Sequence, residues 1–124
     1  MTDIIYKKES FKIIGLCMEI HNYLGSGFLE IVYKDALEYE FRAAKIPYER
    51  EKEYAVNYKG TVLPHQFYAD FIVYDKIILE VKAASEINDK AIAQSMNYLS
   101  ASECRLSLIV NFGEMRLNYR RIVK

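Results

Sequence analysis

The stretch YADFIVYDKIILEVKA, Tyr68 to Ala83, decides the fold of this chain. Phe67 to Tyr74 and Lys76 to Val81 are two runs of β-branched and aromatic residues joined at Asp75-Lys76, which predicts an antiparallel hairpin. Both strands are apolar on both faces, so they belong in the middle of a sheet rather than at its edge. Three charged residues interrupt them. Glu80 and Lys82, two apart on one strand, share a face. Asp70 falls almost level with Glu80 or Val81 across the ladder, within reach of the same point. Charge in so apolar a setting is costly unless it is paired, metal-bound or open to a cleft.

Working outward, Phe11, Ile14, Cys17, Met18, Ile20 and Leu24 recur at helical steps, predicting a first helix from about Ser10 to Leu24 that Gly25-Ser26-Gly27 stops. A second should run from about Phe28 to Lys45, with Lys34, Glu38 and Arg42 along another side, and end at Ile46-Pro47. Tyr54, Val56 and Tyr58 then alternate with Ala55, Asn57 and Lys59, and Lys59-Gly60 is a turn signal before Thr61-Val62-Leu63. After the hairpin, Ile92, Met96 and Leu99 mark a third helix from about Ile87 to Ser100, capped by Ser85 or Asn88. Leu106 to Phe112 reads as a buried strand and Arg116 to Val123 as an edge strand. The order is helix, helix, three or four strands, helix, two strands, in a single domain spanning residues 1–124 with no internal repeat.

Composition fits that reading. The 124 residues are 52% hydrophobic and 27% charged, with five Gly and two Pro, which excludes a disordered or fibrous chain. Seventeen Lys and Arg balance seventeen Asp and Glu, so any nucleic-acid binding must come from a local patch. Lys7, Lys8, Lys12, Arg116, Arg120, Arg121 and Lys124 make both termini basic and would form one flank if the ends lie together. Cys17 and Cys104 lack metal-site spacing and are expected to be reduced and structural. The N-terminus carries no secretion-like apolar run and no stretch is long enough to span a membrane, so a soluble cytoplasmic protein is expected.

Asp70, Glu80 and Lys82 form a set suited to phosphodiester hydrolysis. Two carboxylates can hold a hard cation such as Mg²⁺. An amine beside them can orient or deprotonate water, or stabilise charge on the phosphate. A surface ion pair is the plainer reading of a Glu-x-Lys on a half-exposed strand. Glu30 lies at the border between the apolar and charged sectors of the second helix, where it could reach a cleft or simply favour the helix dipole. Gln94 and Tyr98, four apart on the third helix, project from one side.

The segment Tyr68 to Lys82 resembles the signature of the PD-(D/E)xK nuclease superfamily, with Asp70, Glu80 and Lys82 at its D…ExK positions and Ala69 where the nominal motif has Pro. Gly27-Phe28-Leu29-Glu30-Ile31-Val32-Tyr33 is similar to the motif that names the GxxExxY protein family, a bacterial and archaeal branch of that superfamily. Ile20-His21, Leu24-Gly25, Gln94-x-x-x-Tyr98-Leu99 and Val110-Asn111-Phe112 continue the likeness over nearly the whole chain after about Phe11. The resemblance implies an α/β (α+β) restriction-endonuclease-like core with a mixed central sheet of about four strands flanked by helices. It implies a nuclease that hydrolyses the phosphodiester bonds of DNA or RNA with Mg²⁺ or Mn²⁺, DNA being the more expected partner. Asp70, Glu80 and Glu30 would ligate the metal, Lys82 would act in the chemistry, and Gln94 would stand at the rim. Tyr33 would pack or bond the Glu30 carboxylate, and His21 would satisfy the last carbonyls of its helix. A homodimer would help so small a body grip a duplex. The alternative is a catalytically inactive module that keeps the fold and binds nucleic acid or a protein partner.

Overall fold

The computed structural model describes residues 4–124. The first helix, α1 (Lys7–Leu24), ends at Gly25, whose φ of 78° suits a residue without a side chain and whose N–H donates to His21 O at 2.8 Å. The second, α2 (Glu30–Ala43), closes with Lys45 at φ 57° and Ile46 N–H bonded to Phe41 O at 2.9 Å, the six-to-one bond of a Schellman end. Ile46 is then buried in the core.

Strand β1 (Tyr48–Tyr54) starts six residues before the predicted alternation, because Tyr48, Arg50, Lys52 and Tyr54 are the half-buried positions of a strand whose sequence, YEREKEY, is mostly charged. Such a strand suits a sheet edge, where charge discourages pairing with another chain. Strands β2 (Asn57–Tyr58) and β3 (Thr61–Val62) form a separate two-stranded ribbon, turning through Lys59 and Gly60 at φ 51° and 82°.

The hairpin is β4 (Phe67–Val73) and β5 (Ile77–Lys82), paired Phe71 with Leu79, Ile72 with Ile78 and Val73 with Ile77. Tyr74 and Asp75 both take left-handed φ values, 55° and 60°, and Lys76 N–H closes the turn on Val73 O at 3.2 Å. This is the mirror-type turn that matches the twist of paired strands. Helix α3 (Asp89–Ser102) follows, with Asn88 Oδ1 accepting from Ala91 N–H at 2.9 Å. It carries the chain to β6 (Leu106–Asn111), parallel to β5, and β7 (Asn118–Val123) returns antiparallel at the far edge.

The main sheet therefore runs β1-β4-β5-β6-β7, five strands where about four were expected. Its central strand is β5. Helices α1 and α2 cover one face, burying Ile13, Leu37 and Phe41 against Phe71, Leu79 and Leu108, while α3 covers the other through Leu99, Ala69, Ile72 and Ile78. The buried Ser95 and Ser107 hydroxyls, 2.9 Å apart, tie α3 to β6. Arg121 donates to Ser10 Oγ at 2.7 Å and to Ile5 O at 2.6 Å, so the two ends of the described chain do lie side by side. Cys17 and Cys104 are both free thiols. Among the described residues no helix is long and apolar enough to cross a membrane.

Candidate active site

The sheet opens at Asp70. Pairing of β4 with β5 ends at Phe71 and Leu79, and beyond it the Asp70 side chain fills the gap: its Oδ2 accepts from Val81 N–H at 2.8 Å. On the other side of β4, the β1 ladder steps from Arg50–Phe71 to Lys52–Ala69 and passes over Glu51, which takes φ 55° in mid-strand. A non-glycine residue in that region costs about 1–2 kcal/mol and persists only where its surroundings hold it there. The Glu51 carboxylate is held by the Lys34 ammonium, which also donates to Asp70 Oδ1 at 3.1 Å.

Glu80 follows from the hairpin register. Ile77, Leu79 and Val81 face α1 and α2, so the alternate residues Ile78, Glu80 and Lys82 face α3. Glu80 is only 6% exposed, and its Oε1 is buried without a hydrogen-bond partner. Burial, reinforced by the negative charge of Asp70 and only partly opposed by Lys82, pushes its carboxyl up to about 9. A lone protein acid in this state is poorly satisfied. A divalent cation between Glu80 and Asp70 would reverse the imbalance, since a bound ion is the largest local charge and favours ionised ligands.

Lys82, at the end of β5, is half-buried and lines a pocket of about 190 Å³ together with Asn88 and Gln94 of α3. Gln94 itself is exposed, so it stands at the rim of the space into which Lys82 points. The turn beyond Lys82 is pinned by Asn111, a fully buried side chain at the end of β6. Its Oδ1 accepts from Ala84 N–H at 3.0 Å and Gly113 N–H at 3.1 Å, while Nδ2 donates to Ala84 O at 3.0 Å and Glu114 Oε2 at 2.8 Å. Gly113 must stay a glycine here, because a Cβ would lie 2.5 Å from Ala84 N and 2.7 Å from Ala83 C. Asn111→Ala is expected to cost about 2–4 kcal/mol by orphaning these groups, read as an earlier chemical-denaturation midpoint at unchanged slope.

The structure does not gather Glu30 with Asp70 and Glu80. Glu30 is exposed in the first turn of α2, and among the described residues no group of three His, Cys, Asp or Glu side chains is placed to hold a metal. The residue of α2 that reaches the site is Lys34, one turn later. Burial pulls its ammonium down, but the hydrogen bonds and charges of Glu51 and Asp70 outweigh that and hold it above its ordinary range. Arg50, donating to Asp35 at 2.8 Å and Glu38 at 3.3 Å, and Tyr48, donating to Glu38 at 2.9 Å, fasten α2 over β1 and so fix where Lys34 points. The sequence places Lys34 with Glu38 and Arg42 along the charged side of the helix. The available signal was its position four residues after Glu30, at the same border of the apolar sector.

Tyr33 packs in the core as expected, but its hydrogen bonds and those of His21 go to other partners. Tyr33 bonds the glycine turn instead of Glu30: its hydroxyl donates to Gly25 O at 2.6 Å and accepts from Phe28 N–H at 3.1 Å, with its ring stacked 4.5 Å from Phe112. His21 Nε2 lies 2.9 Å from Glu114 O, across the fold, and not against the last carbonyls of α1. Both residues lock the α1–α2 turn onto the end of β6.

None of the curated proteins is similar enough in sequence to match this chain. Among solved structures, the crystal structure of SSO0001 is similar, with a TM-score of 0.60 at 20% identity. The match covers 96% of this chain and 60% of SSO0001, so the chain spans about three-fifths of that protein's length. At this identity the likeness concerns the fold alone. The sequence model of the PD-(D/E)XK nuclease superfamily matches residues 7–122, nearly the whole described chain and all of the opened hairpin. A five-stranded mixed sheet that parts at an acid on one central strand, opposite Glu-x-Lys on the next, therefore has its place: the chain belongs to the PD-(D/E)XK nuclease superfamily.

Proposed function

We propose that this protein is a divalent-metal-dependent phosphodiesterase acting on nucleic acid, DNA or RNA, with Asp70, Glu80 and Lys82 as its working residues. The observation that carries this reading is the buried, unpartnered Glu80 Oε1 beside Asp70 at the point where β4 and β5 part. Asp70 and Glu80 offer hard oxygen donors on two sides of one gap. Mg²⁺ commonly takes one or two carboxylates and completes its shell with water and substrate phosphate, so a pair suffices without Glu30. When bound, Mg²⁺ or Mn²⁺ would polarise a phosphoryl oxygen and lower the pKa of a coordinated water.

The chain's own groups supply the rest. Lys82, on the same face as Glu80, takes the proton of the attacking water when it is the neutral amine, or as the ammonium orients that water and balances charge on the phosphate. Gln94 at the rim donates to the same phosphate or water. Lys34 keeps a positive charge on the α2 side of Asp70 when no cation is present. Within the superfamily, the Gly27–Tyr33 segment supports placing the chain in the GxxExxY branch, with Tyr33 locking the glycine turn.

The test is titration of Mg²⁺ and Mn²⁺ against supercoiled DNA, single-stranded DNA and RNA, comparing wild type with Asp70→Asn. Metal-dependent cleavage that falls at least about a hundredfold in the variant is expected, since one ligand is weakened and the acid–acid pair is broken. Cation binding with no cleavage of any of the three would instead support the non-catalytic module.

A further inference from the structure

Tyr54, Phe67 and Tyr98 form a continuous stack on the α3 face of the sheet, with ring centroids 5.2 Å and 4.4 Å apart and planes inclined by 16° and 13°. Phe67 and Tyr98 then wall a pocket of about 600 Å³ whose lining also includes Asn57, Asn97, Ser100 and Glu103. The volume lies in the range of small-ligand sites. Neither the hairpin chemistry nor the core explains why two exposed amides, a hydroxyl and a carboxylate should converge beside an aromatic wall.

From this lining we infer that the pocket binds an unpaired nucleobase of the strand whose phosphate sits at the carboxylates, which makes single-stranded or locally unpaired nucleic acid the preferred substrate. The chemistry selects a base over its backbone. No lysine or arginine lines the pocket, and Glu103 would repel a phosphate. Amide, hydroxyl and carboxylate groups instead match the donors and acceptors on base edges, and Tyr98, the end of the stack that lines the pocket, offers a ring to the base's flat face, since Tyr54 and Tyr98 already flank Phe67. In an intact duplex those faces are covered and those edges paired, so only a splayed or single-stranded base can enter.

Position supports the same reading. Phe67 precedes Asp70 by three residues on β4, about 10 Å along a strand, a separation that an extended nucleotide bridges. The β2–β3 ribbon beside the pocket exposes Tyr58 and Val62, and Lys59 lies over the Tyr58 ring at 5.4 Å, offering the passing strand a further stacking and cationic surface.

The inference rests on the nuclease reading for its substrate class, and the experiment separates the two. Binding is measured in EDTA, where no metal-dependent cleavage can occur. The probes are a single-stranded oligonucleotide carrying 2-aminopurine and the same oligonucleotide annealed, each titrated with wild type and with Asn57→Ala/Asn97→Ala. Both substitutions are at exposed positions away from the carboxylates. We expect wild type to bind the single strand at least about tenfold tighter than the duplex and to quench its fluorescence by stacking. The double variant should lose about tenfold in single-strand affinity, two hydrogen bonds' worth, with duplex binding unchanged. Equal affinity of wild type for both forms, no binding to either, or a double variant indistinguishable from wild type would overturn the inference. Cleavage by wild type together with an unaffected double variant removes the pocket and leaves the nuclease. Variant-sensitive single-strand binding with no cleavage in any metal removes the nuclease and leaves the pocket.

Discussion

With divalent cations chelated at pH 8, Glu80→Gln is expected to melt well above wild type, by roughly 10 °C. Glu80 is buried with an unpartnered oxygen and beside Asp70, and its carboxyl is pushed from the usual 4.5 up to about 9. Between those values the folded state keeps a proton that the unfolded state releases. Stability therefore falls as pH rises across this window, by at most about 1.4 kcal/mol per pH unit, and the full cost is reached above pH 9. Relaxation of the site trims the total, leaving about 3 kcal/mol at pH 8, which corresponds to the stated shift for a domain of this size.

Glutamine has nearly the same shape and cannot ionise, so the variant lacks the decline. Below about pH 4.5 the two proteins should converge. Mg²⁺ nearly closes the gap: at a hundred times its dissociation constant it adds about 2.7 kcal/mol to wild type, while the variant gains little. Melting curves across pH 4–9, with and without cation, decide the matter. A variant that melts below wild type in EDTA would make Glu80 the structural partner of Lys82 and remove the metal site.

The hairpin that carries this behaviour was legible because its signals are local. Ile72, Val73, Ile77 and Ile78 report a two-sided buried strand pair wherever they occur, and fixing the turn near Asp75 sets Asp70 opposite Glu80 by counting. Helix α3 was legible for a similar reason, since Asn88 caps it and Leu99 marks its buried side. What was hidden depends on contacts distant in sequence. The charged strand β1 carries no apolar alternation before Tyr54, and its place depends on Arg50 finding Asp35 and Glu38 on α2. Lys34 reads as one of a charged row until Glu51 and Asp70, 17 and 36 residues away, close on it. Helical periodicity puts Glu30 and Lys34 on one border of α2 but cannot say which of them meets Asp70. Glu30 sits exposed in the first turn, while Lys34, a turn later, bonds Asp70. Tyr33 bonds a carbonyl eight residues back, a turn geometry that no pattern of apolar residues encodes.

Lys82→Ala should produce the largest loss of activity, about 10²–10⁴-fold in the cleavage rate, with metal still bound. Lys82 ends β5, half-buried, facing the pocket that Gln94 rims, and among the described residues no acid pairs with it in a salt bridge. Its ammonium is thus held by the strand and not by a partner, which leaves it available to water or phosphate. A purely structural lysine would give a different signature. Lys82 does act on Glu80 through space, being the charge that opposes the rise in the Glu80 pKa. Removing it should lift that pKa further and move the pH at which Mg²⁺ begins to stabilise the protein upward. Lys82→Arg restores the charge, and with it the pH midpoint, but its planar fork cannot reproduce a compact amine at the same point. Recovery of the midpoint without recovery of the cleavage rate would assign Lys82 to the chemistry. Recovery of both would assign it to charge alone. An Ala variant that cleaves at the wild-type rate would take Lys82 out of the reaction.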